Sequence, residues 1–279
     1  MMNPSIEDAL ISLQGLSVGD AFGEQFFTPA NRNLLSKREL PHGPWGWTDD
    51  TIMAVSIVEI LKKYGEINQD ALAKSFADEY MKDPFRGYGM GAAGLLRQIA
   101  YGENWRQAAP GLFDGGSFGN GAAMRAAPIG GFFKGDPKMA AEEAKKSAQV
   151  THAHPEGISG AIAVAVAASI AAVPNHPKGT EFLNEILPFI PDSETRDRIN
   201  EARDIPGNTA IPDVAQALGS GMLISAQDTV PYCMWCAAYN LDNYEDAMWQ
   251  TIAGFGDCDT TCAIVGGITA LSSRNIPLA

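Results

Sequence analysis

The sequence is short of positive charge. Its 20 Lys and Arg residues stand against 33 Asp and Glu, a formal net charge of -13 at pH 7. Nucleic acids and anionic membranes select for basic surface, so neither is expected as a partner. A small anionic ligand stays admissible, because a bound cation reverses the local charge of a pocket. Cysteine is scarce as well, and four in a chain of 279 residues suggest no disulfide framework. Long apolar runs are missing. The most apolar stretch, ISGAIAVAVAASIAAV from Ile158 to Val173, is shorter than the ~20 residues of a membrane span. Its alanine and glycine suit a helix packed inside a protein. The opening residues, MMNPSIEDAL, lack a basic segment followed by an apolar core, so no secretory leader is expected and a cytoplasmic location is.

Also absent is any sustained alternation of β-branched residues, which argues against a sheet as the organising element. No repeat of fixed period and no low-complexity linker divides the chain. Helical spacing dominates instead. Apolar residues recur at three- and four-residue intervals from Pro4 to Phe27, and again from Asp50 through Leu61 into KKYGE, where lysines and a glycine suit a helix C-terminus. The segments 68–83, 89–102, 137–150, 158–172, 179–187 and 193–202 follow the same pattern. So do 212–226, 230–240, 243–254 and 259–273, while 110–125 reads as a glycine-rich connector. A single all-α domain over residues 1–279, monomeric, is the expectation.

Against this background two acidic clusters stand out. Thr48, Asp49, Asp50 and Thr51 precede one apolar helix; Asp257, Asp259 and Thr260 precede another, rich in small residues. Asp50 and Asp259 can be helix N-caps, each accepting from free backbone amides. Capping needs one carboxylate per helix, however, and each cluster has two, with threonine hydroxyls alongside. Hard divalent cations such as Mg2+ or Mn2+ prefer such oxygen ligands. Taken together the clusters favour a site for two divalent ions. Zinc fits less well, since neither cluster holds a histidine and Cys258 is a single thiol.

Five motifs in order then give the chain a likeness: GLSVGDAFG (15–23), WTDDT (47–51), GNGAAMRAAPIG (119–130), THAH (151–154) and GDCDTTCAIVGG (256–267). In these the sequence resembles the ADP-ribosylglycohydrolase family, over most of its length. The resemblance implies a compact all-α fold with a binuclear Mg2+ or Mn2+ centre at the base of a cleft. It implies metal ligation by Thr48, Asp49, Asp50, Asp257, Asp259 and Thr260, and cleavage of the bond between the anomeric carbon of ADP-ribose and an acceptor, protein or small molecule. It places substrate contacts at Ser117, Phe118, Gly119, Asn120, Gly121, Met124 and His152. In chemical terms, Asp49 or Asp50 is expected to orient a water or take its proton. The chain departs from the family at one point. Many members carry a glutamate seven residues after the aspartate of the first motif, where this sequence has Phe27. Glu24 is the candidate substitute as proton donor, which leaves open the acceptor (arginine first, or another ADP-ribose conjugate) and a binding-only relative.

Other features admit two readings. Glycine in 115–121 lets backbone amides approach a pyrophosphate, or marks an ordinary turn. Arg125 suits either a phosphate or an internal salt bridge to an acidic cluster. Cys233 and Cys236 have redox or zinc spacing, but VPYCMWCAAY reads better as a buried apolar helix. Trp45 and Trp47 suit the cleft and the core equally.

Overall fold

A computed structural model describes residues 4–277. Fourteen α-helices follow one another, with short 3-10 turns and, among the described residues, no β-strand longer than an isolated bridge. They are α1 (Ile6–Glu24), α2 (Asp49–Tyr64), α3 (Gln69–Lys82), α4 (Met90–Ala100), α5 (Trp105–Gly111), α6 (Ala127–Phe132) and α7 (Pro137–Gln149). The second half holds α8 (Pro155–Ala171), α9 (Gly179–Ile186), α10 (Glu194–Asp204), α11 (Ile211–Leu218), α12 (Ala226–Asn240), α13 (Tyr244–Ile252) and α14 (Cys258–Ser273). The all-α expectation holds.

Local chemistry accounts for many of the boundaries. Ser5 caps α1 by accepting from the Asp8 amide, with Glu7 and Asp8 in the first turn where the helix dipole favours acid. Helix α2 ends on Lys62 and Lys63, and Gly65 closes it in the left-handed conformation at φ 73°. Helix α8 begins earlier than its apolar spacing suggests, because His154 caps it through Nδ1 and Pro155 takes the first helical position. Its alanine-rich body is buried on all sides, and it packs against α6, α7, α12 and α14.

The pairing that matters most for function is that of α1 with α14, the most extensive between any two helices. Gly15, Gly19 and Gly23 form a stripe on α1. A Cβ at any of them would collide with a backbone carbonyl of α14, those of Gly266, Cys262 and Cys258 in turn. Three glycines one turn apart let the two backbones touch. Around the crossing Phe22, Phe26, Trp45 and Trp249 interlock, with Phe22 5.0 Å from Trp249 and 5.9 Å from Trp45. Trp45 is therefore a core residue, its Nε1 donating to the Pro41 carbonyl. Trp47 is half exposed under the Arg86 guanidinium.

Several sequence expectations need correction. The helix expected over 212–226 stops at Leu218, since Gly219 and Gly221 take φ of 83° and 89° and turn the chain into a loop. Helices α5 and α6 were not anticipated, and α5 occupies the start of the expected connector. Cys233, Cys236, Cys258 and Cys262 are buried free thiols, which for Cys233 and Cys236 matches the expected buried helix.

Candidate active site

The two acidic clusters sit at the N-termini of α2 and α14, and the α1–α14 crossing brings them together. Thr48, rather than Asp50, caps α2 by accepting from the Asp50 amide at 3.3 Å. Asp257 occupies the cap position of α14 without making a capping hydrogen bond. Simple capping therefore does not explain the carboxylates.

A third element, α1, contributes Asp20. Its carboxylate accepts from the amide and hydroxyl of Thr48 and from the amide and hydroxyl of Thr51, all buried. With so many donors on its two oxygens Asp20 is a brace, fixing the first turn of α2 to α1. Sequence reasoning placed Asp20 in a motif but gave it no role. The Thr48 hydroxyl lies 2.9 Å from Asp20 Oδ1 and 3.0 Å from Asp50 Oδ2, and has one proton for the two of them. Among the described residues Asp50 Oδ1 is buried without a hydrogen-bond partner.

That orphaned oxygen tests whether the residues fit a cation. One carboxylate oxygen each from Asp20, Asp50 and Asp259 lies within 4.8 Å of the others. Burial, then the charges of Asp259, Asp20, Asp49 and Asp257, hold the Asp50 carboxyl well above the usual range. Burial and then Asp257 do the same to Asp259, whose Oδ1 accepts from the Thr260 amide at 2.8 Å. Asp49 is pushed up to about 7 by burial and then by Asp20 and Asp257, against a smaller opposing effect of Arg125. Carboxylates crowded and desolvated in this way lack a positive charge, and the donor set fits a hard divalent cation.

Opening from the cluster is a cavity of about 470 Å³, within the range of small-molecule sites. Asp49, Asp50, Asp257, Asp259 and Thr260 line its acidic end. All seven residues expected to touch substrate, Ser117, Phe118, Gly119, Asn120, Gly121, Met124 and His152, line the remainder. Thr48 is not on the wall, its hydroxyl being engaged behind it. Nor is Glu24, which ends α1 half-buried beside the cluster, its carboxyl raised by burial and then by Asp20 and Asp257. Glu24, the candidate proton donor, thus lies beside the acidic cluster but outside the cavity. Phe27 is partly exposed and likewise off the wall.

The glycine-rich wall is clamped from behind. The Asn120 amide donates to the Ile224 carbonyl and the Ala226 amide to that of Phe118, so the loop after α11 holds it in place. Asn120 Nδ2 also donates to Asp257 Oδ2 at 2.6 Å, tying this wall to the second acidic cluster. His152 is buried with its ring against the glycines; a Cβ on Gly121 would stand 3.0 Å from Cε1. Burial, then Arg125, lowers its pKa to about 3, so the ring is neutral. Arg125 is fully buried over the Phe76 ring at 4.4 Å and donates to Thr151 Oγ1 at 2.7 Å. Among the described residues it pairs with no carboxylate, so the internal salt bridge that was one of its two readings is not made. Sequence reasoning missed Gly87, Gly89, Met90 and Phe113 on the opposite wall. The glycine density of GYGMG was the available signal; the Asp49 amide donates to the Arg86 carbonyl at its start.

Comparison with known proteins agrees with this architecture. The ADP-ribosylglycohydrolase family model matches residues 2–275. The ADP-ribosylhydrolase ARH3 of Xenopus tropicalis is 36% identical over 196 residues, 66% of this chain and 55% of that protein, so the chain spans about half of its length. The Gallus gallus ARH3 is 30% identical over 296 residues, 94% of this chain and 77% of that one. The ADP-ribosylarginine hydrolase Tri1 of Serratia proteamaculans is 23% identical over 98% of this chain and 74% of its own. A solved "ADP-ribosylglycohydrolase-related protein complex" shares the fold, with TM-score 0.61 at 22% identity over 98% of this chain and 90% of that chain. The chain belongs to the ADP-ribosylglycohydrolase family of hydrolases.

Proposed function

We propose that this chain is a metal-dependent hydrolase that frees ADP-ribose from a modified protein or small molecule by cleaving the bond at the ribose anomeric carbon. The observation that carries the proposal is Asp50 Oδ1, buried without a partner among mutually repelling carboxylates at the end of a ligand-sized cavity. Asp50 and Asp259 are the proposed principal ligands, with Asp49, Asp257 and Thr260 completing sites for two ions, Mg2+ or Mn2+. Such cations supply positive charge that neutralises the cluster and polarises oxygen ligands.

The chain's own groups divide the remaining tasks. Asp49, on the wall and poised at about 7, is suited to take a proton from the attacking water. The wall from Ser117 to Gly121 offers backbone approach for the diphosphate, and Met90, Phe113, Phe118 and Ile224 offer apolar surface for the nucleoside. Glu24, off the wall, is assigned to tuning Asp257 and Asp259 from behind. Arginine is the first acceptor to try, a choice supported by the name of the Serratia relative. An active monomer is part of the proposal.

The test measures free ADP-ribose released from arginine-, serine- and acetyl-linked substrates with Mg2+, with Mn2+ and with a chelator. Release from at least one linkage, dependent on an ion, is the expected result. Binding of ADP-ribose with no linkage cut under either ion would make the chain a binding-only relative. Absence of both binding and cleavage would leave a structural descendant.

A further inference from the structure

The buried trio behind the glycine wall carries a consequence for how the cavity recognises its ligand. We infer that Arg125 and Thr151 are positioning residues which fix His152 in the tautomer with its proton on Nε2, making that atom a hydrogen-bond donor at the wall of Gly119 and Gly121.

The inference follows from counting protons. Thr151 Oγ1 has two neighbours of this kind, Arg125 Nη2 at 2.7 Å and His152 Nδ1 at 2.8 Å. A guanidinium only donates, so the first contact uses a lone pair of the hydroxyl. The hydroxyl keeps one proton, and Thr151 is buried with no other side-chain partner among the described residues. Were Nδ1 the protonated nitrogen, it would donate as well, and the Thr151 proton would be left in the interior without an acceptor. An unmet buried donor costs about 1–3 kcal/mol. Sending the Thr151 proton to Nδ1 satisfies all three groups and leaves the imidazole proton on Nε2. Nε2 is the ring atom turned to the glycines, 3.3 Å and 3.1 Å from where their Cβ atoms would stand. Arg125 is itself immobilised, stacked over Phe76 and donating also to the Ser147 carbonyl.

The ligand group seated there is consequently an acceptor oxygen, such as a phosphoryl or ribose oxygen, rather than an N–H or a protonated amine. This step rests on the ADP-ribose reading, whereas the tautomer does not. Long-range 1H–15N spectra of the full chain with Mg2+ at neutral pH, with His152 assigned by its loss in His152→Gln, report the tautomer directly. The expected wild-type pattern is Nε2–H. Thr151→Val should bring in the Nδ1–H form and weaken ADP-ribose binding by about tenfold, and Thr151→Ser should restore both. An Nδ1–H ring in the wild type overturns the inference. So does a Thr151→Val protein that keeps Nε2–H and wild-type affinity. Should Thr151→Val fail to fold, the wild-type spectrum still decides. Should the wild type bind no ADP-ribose, the proposed function fails while the tautomer remains decided by its spectrum.

Discussion

Asp20 and Asp259 carry the same functional group within 4.8 Å of each other, yet their environments assign them opposite roles. The Asp20 oxygens are filled by Thr48 and Thr51 donors; Asp259 accepts from the Thr260 amide and otherwise faces other acids. Replacement by asparagine separates them. Asp20→Asn turns one acceptor into a donor pointed at buried donors, and should cost about 3 kcal/mol or more of stability. Asp259→Asn removes a charge from a self-repelling cluster. It should raise the melting temperature of the metal-free protein while abolishing cation binding and lowering turnover by about 10²-fold or more. Thermal melts in chelator, calorimetric titration with Mn2+ and an ADP-ribose release assay check the pair. A lower melting temperature for Asp259→Asn would return that residue to a structural part.

At the scale of elements, the α1–α14 crossing sets the distance between the clusters. A methyl at Gly19 would meet the Cys262 carbonyl, so Gly19→Ala should push the helices apart at a cost of about 1–3 kcal/mol. Because Asp20 follows directly and Asp259 sits one turn before Cys262, cation affinity should fall at least tenfold even in the fraction that folds. Chemical denaturation and Mn2+ titration measure the two effects independently; unchanged affinity would show that the crossing does not set the site.

This crossing also marks how far the sequence could be read. The ends of α2 were legible because caps, lysines and Gly65 are local signals. The acidic clusters and the wall 117–121 were legible as motifs. Helix α6 was not, since APIGGF has few helix formers and is held by packing, with Gly130 against the Ala165 carbonyl and Gly131 against that of Asp8. The loop 219–225 deceived because its apolar spacing continues that of α11 while its two glycines turn left-handed. At the site, the bracing by Asp20 and the wall 87–91 depend on contacts between distant segments, which one-dimensional spacing does not encode.

The acidic cluster stores charge repulsion that a bound cation would relieve. Asp49 holds its proton up to about 7, against an ordinary value of 3.8, and Asp50 and Asp259 are raised in the same sense. Where the folded state keeps protons that the unfolded chain has lost, stability falls as pH rises. His152 opposes this below 6.5: its folded value, about 3, is depressed, so stability from that ring rises with pH up to its ordinary value. Above pH 6.5 the contribution of the ring fades as the unfolded imidazole loses its proton, and the carboxylates dominate. The metal-free protein should therefore lose stability from pH 6.5 to 8, and Mg2+ or Mn2+ should stabilise it more at pH 8 than at pH 6. Melting curves with chelator and with each ion at the two pH values check this. Equal gains at both would mean that the ions do not meet the cluster.

The helices that meet in the glycine crossing are the first and last of the fourteen. During translation α1 leaves the ribosome long before α14 exists, so the nascent chain exposes a bare glycine stripe and a half-built acidic pocket until α14 has been made. On the proposed metal reading, cation uptake would wait until α14 has docked on α1, and would report that pairing.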